Sequence, residues 1–418
     1  MDIHQGDVHF LQEVLRIAEN DPSIVISSVD VSPCCKDGDN YMALVSRVKV
    51  RGTRGQDKQE YRRSVVTKQQ PASLARREMF RCGPVFRNET AVYSTVIPAF
   101  ESFFGKMVSL PFPKCLHADH RIRDDIIVLQ DLGPYGFTMT DRVMGLDLDH
   151  CRLVLQSLAR YHAMSLAMKR LDPKTFKKAR DSIEEVIYIQ DAANLFSVSM
   201  ENSLKMATES LRVLSGNNGT YDVAIKIINR FSGEVFEIMS ELVKPKEPWS
   251  VICHGDCWNN NIMFLYRNGQ VHDLRLVDLQ VARYSSPAID ILHFLYTSTQ
   301  ADLRRQHYED LLRIYHKTLS ETQRRLLEGS PYTSEKEFMT FKELKEEVES
   351  HALYGFLNAL WLLPAVQADS TKVPDMESLT EDDFYSQENL DRWISHQTPK
   401  YRESIRDLLQ EYTDRGFL

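Results

Sequence analysis

Residues 251–280, VICHGDCWNNNIMFLYRNGQVHDLRLVDLQ, constrain this chain more than any other stretch. Two apolar runs, 262–266 and 271–277, flank Asn268-Gly269. Asn-Gly between apolar runs is the strongest short-range hairpin signal, because both central turn residues need positive φ. A two-residue loop pairs 267 with 270. Continuing that register puts Asp278 opposite Asn259, one same-face step from Asn261. Residues two apart on a strand share a face, and diagonal neighbours across a ladder lie roughly 7–8 Å apart. Asn261 and Asp278 are therefore expected to face the same side, close enough to share one metal ion. Oxygen ligands without thiolate or imidazole suit Mg²⁺. Asp256 sits five residues before Asn261, in the polar loop His254-Gly255-Asp256 that leads into the ribbon. The set fits phosphoryl transfer: one Asp orients an acceptor hydroxyl and takes its proton, while an Asn and a second Asp hold Mg²⁺ on the nucleotide phosphates.

HGDCWNNN followed by VDLQ resembles the catalytic and metal-binding segments of kinase-like small-molecule phosphotransferases, such as choline kinases and aminoglycoside phosphotransferases. It is most similar to the ecdysteroid kinase-like family, which is abundant in insects. The resemblance runs from about residue 37 to about residue 293. It implies an α+β, bilobal protein kinase-like fold, with a small antiparallel-sheet N-lobe (1–132) and a larger, mainly helical C-lobe (133–418). It also implies ATP and Mg²⁺ as cofactors, with a hydroxylated small molecule, an ecdysteroid or another apolar compound, as acceptor. Asp278-Leu279-Gln280 stands where protein kinases have Asp-Phe-Gly, and Gly255 stands where they have Arg, so no activation-loop phosphoswitch is expected.

Upstream, the pattern is helix (8–18), strand (24–31), strand (41–50), turn (52–55), strand (61–68). Lys68 closes the apolar run 65–67, and a charge at the end of a half-buried strand suits the α/β-phosphates of a nucleotide. Its expected partner is Glu89, on a helix over 85–96 that is expected to end before Pro98. There Phe86, Tyr93 and Val96 form an apolar stripe with Glu89 on the same side. An acid on such a stripe needs a partner, because an unpaired buried carboxylate is costly. Glu78 is the only rival. The resemblance places Gly38–Tyr41, with Asn40, over the phosphates. It also makes the segment after 126–129 a hinge in which Leu132 or its neighbour meets the adenine. By the same resemblance Asp290 braces the catalytic loop from below, with His254 as structural support. From the residues alone, Asp290 would cap the helix that Ser286-Pro287 begins.

The strongest helical pattern covers 147–171, where His162 reads as a hydrogen-bonded core residue. Three helices are expected over 174–244, one over 301–327, one over 341–363 ending before Pro364, and one from Pro399. Trp361 could line an apolar pocket or serve helix packing.

Composition narrows the class. The 418 residues, 43% hydrophobic and 26% charged, can build two lobes around a large core. A net charge of −8 argues against general nucleic-acid or anionic-membrane binding. No apolar run reaches the roughly 18 residues needed to span a bilayer. The first residues lack the basic and apolar regions of a signal peptide. The seven scattered cysteines read as reduced thiols, so a cytoplasmic, monomeric enzyme is expected. Two other readings remain: a catalytically silent kinase-like ligand-binding protein, and a choline- or aminoglycoside-type kinase.

Overall fold

The alternation of the N-terminal strands sorts their side chains onto two faces, and the two faces have different fates. The structure, a computed structural model, describes residues 5–34, 42–71, 73–119, 126–216, 218–334, 338–367 and 386–418. Strands β1 (Val25–Pro33), β2 (Leu44–Arg54), β3 (Gln59–Gln69), β4 (Cys115–Asp119) and β5 (Ile126–Gln130) form one antiparallel sheet in the order β1-β2-β3-β5-β4. Val48, Val50, Tyr61, Val65 and Val128 turn to one face. There Leu11, Val14 and Leu15 of the amphipathic helix α1 (Gln5–Glu19) cover them. Val66 and Lys68 alternate with Val65 and so turn to the other face, where Val66 packs against the larger core.

Two expectations fail in this region. Residues 52–55 are not a turn: β2 runs on to Arg54, and the chain reverses at Gly55–Lys58, where Lys58 N–H donates to Gly55 O (3.2 Å). Gly52 is required because β1 comes unusually close beside its bulge at Ile26/Ser28. A Cβ at Gly52 would sit 1.9 Å from Val25 O. Nor does Pro98 end its helix. The helices α2 (Leu74–Met79) and α3 (Cys82–Ala91) are followed by a π-helical turn (Val92–Val96) and then α4 (Ile97–Phe104). The wider turn lies just before the position where proline withholds its N–H and crowds the preceding carbonyl.

After β5 come a 3₁₀ turn (Gly133–Tyr135) and the short β6 (Phe137–Thr138). The larger part of the chain is helical. Asp147 caps α5 (Leu148–Leu171), which packs along α11 (Ala301–Leu326). Among the described residues, 173–250 hold four α-helices rather than three: α6 (Pro173–Arg180), α7 (Ala193–Ser215), α8 (Asp222–Asn229) and α9 (Val235–Leu242). Then come β7 (Val251–Cys253), the hairpin β8 (Ile262–Arg267) and β9 (Gln270–Leu276), β10 (Arg283–Ser285) and α10 (Pro287–Ser298). The single helix expected over 341–363 is two, α12 (Phe341–Ser350) and α13 (Ala352–Val366), which meet at His351. Pro364 lies inside the second rather than after it. The chain closes with α14 (Gln387–Ser395), which the pattern did not reveal, and α15 (Pro399–Asp414). The result is the α+β, bilobal arrangement that the sequence implies. Among the described residues, no helix is long and apolar enough to cross a membrane.

Candidate active site

The hairpin forms at Asn268-Gly269, and both residues have positive φ. Its register is not the one the turn alone dictates. Arg267 pairs with Gln270 and Tyr266 with Val271, but Leu265 pairs with Asp273 and Ile262 with Leu276. A bulge beside His272 shifts the ladder by one residue, which turn chemistry cannot announce. Asn261 closes a 3₁₀ turn (Asn259–Asn261) ahead of β8, and its carbonyl accepts from Val277 N–H at 2.9 Å. Asp278 lies past the end of β9 at φ 67, so its side chain is aimed by a left-handed backbone and not by the pleat. The two arms are thus joined through backbone, while their side chains serve different partners.

Asp278 meets the small sheet. Lys68 Nζ lies 2.6 Å from Asp278 Oδ1 and 2.6 Å from Glu89 Oε2, with Gln280 Oε1 at 3.4 Å. Burial alone would lower the Lys68 pKa, but the two carboxylates outweigh it and raise it. Burial pushes the Glu89 carboxyl up, against the opposing pull of Lys68. Glu89 also accepts from Leu279 N–H at 3.2 Å. Its neighbour Asn88, which no sequence pattern singles out, donates through Nδ2 to the carbonyls of Gln280 (3.1 Å) and Ala282 (2.8 Å). Helix α3 therefore grips residues 279–282 at three backbone atoms. Glu78, the rival partner, is not in this cluster.

Asp256 belongs to the second arm. Its Oδ2 and its carbonyl both accept from Asn261 Nδ2, at 2.8 and 2.9 Å. Its Oδ1 faces His293 Nε2 at 3.2 Å. Burial would raise the Asp256 pKa, but His293, His254 and Asn261 together hold it below the ordinary carboxylate range. With both Nδ2 contacts directed to Asp256, Asn261 keeps Oδ1 as its remaining acceptor.

His254 ties the arms together. Its Nδ1 accepts from Asp256 N–H (3.2 Å), so Nε2 carries the hydrogen and donates to Val277 O (3.1 Å). Burial lowers its pKa and favours this neutral form, against the pull of Asp290, Asp256 and Asp278. Asp290 lies beneath the loop. Its carboxylate accepts from His254 N–H (2.7 Å) and Gly255 N–H (2.8 Å), and it contacts His162 Nε2 at 3.0 Å. His162 reaches Tyr315 OH through Nδ1 (2.8 Å), a satisfied core histidine. Burial would raise the Asp290 pKa, yet these donors bring it down to about 2. Ser286 Oγ caps α10 by accepting from Ala288 N–H (3.2 Å), so Asp290 is free of that task.

His162, Cys253 and Asp290 also cluster tightly enough to suggest a metal. Burial holds the Cys253 thiol protonated, and Asp290 is already committed to backbone donors, so the donor set does not suit a cation.

An aromatic group gathers about Arg283. Arg283 stacks over Tyr188, with Cζ 5.0 Å from the ring centre, and pairs with Glu185 at 3.1 Å. Trp361 stands edge-on to Phe196 (5.9 Å) and Tyr188 (6.4 Å), and its indole N–H donates to Ser199 Oγ (2.9 Å). Leu132 is buried just past β5. Beside it Asp131 accepts from Arg47 Nε (2.8 Å) and Ser64 Oγ (2.6 Å). Asn40 and its loop 38–41 lie outside the described residues.

With this geometry in place, sequence comparison matches residues 37–328 to the model of the ecdysteroid kinase-like family. The chain belongs to that family. Membership supports a small-molecule kinase. No curated protein matches the chain in sequence. Among solved structures, it is similar to the GDP complex of a point mutant of aminoglycoside 2'-phosphotransferase-IIIa. They share 14% identity over 97% of this chain and 98% of that one, with a TM-score of 0.43. It is also similar to the GDP and kanamycin complex of APH(2")-IIIa, with 13% identity over 97% and 99% of the two chains and a TM-score of 0.40. Likeness at this level carries no functional weight.

Proposed function

We propose that this ecdysteroid kinase-like chain transfers the γ-phosphoryl group of ATP to a hydroxyl of an apolar small molecule. An ecdysteroid is the first acceptor to test. The single observation that carries the reading is Lys68, brought from the small sheet to within 2.6 Å of both Glu89 and Asp278. A buried ammonium held by one carboxylate and facing a second is a device for binding phosphate oxygens. In this reading Glu89 and the grip of Asn88 keep Lys68 and the Asp278 segment in register. Leu132 and its neighbours take the adenine edge through backbone groups, and residues 1–132 and 133–418 act as the two lobes.

Asp278 Oδ2 and Asn261 Oδ1 are oxygen donors without competing thiolate or imidazole ligands, and they fit Mg²⁺. Bound there, the ion would offset the triphosphate charge. Asp256, its carboxylate fixed between Asn261 and His293, orients the acceptor hydroxyl and receives its proton as the bond to phosphorus forms. Trp361, edge-on to Tyr188 and Phe196, offers with them an apolar wall to the acceptor. The enzyme works in this reading as a cytoplasmic monomer. The test is ATP consumption, with product mass, across ecdysteroids, hydroxylated xenobiotics, choline and aminoglycosides. Phosphorylation confined to apolar alcohols supports the reading, and no turnover with any acceptor refutes it.

A further inference from the structure

His293 lies three residues after Asp290 on α10, and the two share one helix face. Asp290 holds the backbone of the catalytic loop at His254 and Gly255. His293 reaches the same loop one residue further on, with Nε2 3.2 Å from Asp256 Oδ1 and only 4% of its side chain exposed. Among the described residues, neither of its ring nitrogens makes a well-aligned hydrogen bond. A buried imidazole with both nitrogens unsatisfied is costly, and native cores seldom keep one without a use. An aliphatic or phenyl side chain would fill the same space without that cost.

The Asp256 carboxylate shows what the use is. Asn261 Nδ2 takes Oδ2, which leaves rotation about the Cβ–Cγ bond restrained from one side only. The second restraint comes from His293 at Oδ1. We infer that His293 is a positioning residue for the phosphoryl-transfer step. Its Nε2, 3.2 Å from Asp256 Oδ1 without a hydrogen bond in line, limits how far that carboxylate turns, so that a lone pair meets the acceptor hydroxyl. Helix α10 then sets the loop twice, through Asp290 at the backbone and through His293 at the reacting side chain. This inference rests on the reading of Asp256 as the hydroxyl-orienting carboxylate.

The test compares His293→Phe, which keeps a ring and removes the donor, with His293→Gln, which returns an N–H at similar reach. Turnover is measured with the best acceptor from the screen, or with water as acceptor if none is found. Crystals of each variant report the Asp256 carboxylate. H293F is expected to lose about 10²-fold in kcat, the scale on which a misplaced reacting group is felt. Its KM for ATP is expected to stay within about twofold, since a positioning role affects the chemical step rather than ground-state binding. H293Q is expected to recover most of that loss, and the carboxylate is expected to turn away from its wild-type position in H293F alone. Equal impairment of both variants, no impairment of either, or an unmoved carboxylate in H293F overturns the inference. Should H293F not fold, His293→Leu takes its place. If wild-type protein turns over no ATP, the kinase reading fails, and the carboxylate position in H293F still decides the role of His293.

Discussion

Lys68 Nζ and Asp278 Oδ1 meet at 2.6 Å although the residues are 210 positions apart in the chain. The contact links β3 to the end of the β8–β9 hairpin, and Glu89 completes it from α3. Removing the lysine leaves two carboxylates facing each other, one of them fully buried. Breaking a buried pair by deleting one partner costs about 3–5 kcal/mol. Lys68→Met is therefore expected to lower unfolding free energy by about that amount in denaturant titrations. Adding Glu89→Gln to K68M should restore part of it, because the orphaned charge is then gone. A double variant less stable than K68M would show that Glu89 is held by Leu279 N–H rather than by the ammonium.

Asp256 contacts Asn261 and His293, whereas Lys68 contacts Glu89 and Asp278, so in the proposed mechanism the acceptor side and the nucleotide side rest on different groups. Asp256→Ala is expected to lower kcat by about 10²–10⁴, the range for loss of a positioned base. Nucleotide affinity, read by titration with a fluorescent ATP analogue, is expected to change by less than about threefold. Equal loss of both would contradict this division of labour.

Asp290 makes a pH prediction. Its folded pKa, about 2, lies below the ordinary carboxylate value. A depressed carboxylate contributes stability that is full above its unfolded pKa, roughly 3.9, and that disappears as pH falls through the folded value. A gap of nearly two pKa units corresponds to about 2.6 kcal/mol. Wild type is expected to exceed Asp290→Asn by at least that much at pH 6. The margin should shrink steadily from pH 4 to pH 2 in urea melts. A margin independent of pH would mean that folding leaves the Asp290 pKa unchanged, and one that grew as pH fell would mean that folding raises it.

Local chemistry made Lys68, Glu89 and the Asn268-Gly269 ribbon legible in the sequence, because each rests on spacing within one or two elements. Ser286 and Pro287 announced α10 in the same way. The ladder register did not read correctly, since a bulge inserts a residue without a sequence mark. Asn261 and Asp278 are consequently placed by a 3₁₀ turn and a left-handed residue, not by a shared pleat. Pro98 misled for a related reason: a π-helical turn relieved the clash that should have ended the helix. Asn88 and His293 were invisible because their partners lie 192 and 37 residues away, and nothing local distinguishes them from ordinary helix residues. Burial of a polar side chain was their only signal, and burial is a tertiary property.

Gly255 and Gly269 separate two reasons for glycine. Their backbones are alike, with φ of 86 and 77. At Gly269 a Cβ would meet nothing within 4 Å, whereas at Gly255 it would sit 2.0 Å from Val281 O. Gly269→Ala therefore incurs only left-handed strain, about 1 kcal/mol. Gly255→Ala incurs the same strain and also drives a methyl into a carbonyl of the segment leading into β10. That oxygen belongs to backbone held by Asn88 and by the β7–β10 ladder, so it has nowhere to go. To admit the methyl, the loop must lift, and lifting it breaks the bonds from His254 and Gly255 to Asp290 and moves Asp256. G269A is expected to keep wild-type activity and to melt slightly lower. G255A is expected to lose at least about 3 kcal/mol of stability, in the manner of overpacked cores, together with any activity that depends on Asp256. Equal melting losses for the two variants would show that the close approach at Val281 is not a constraint on the 254–256 loop.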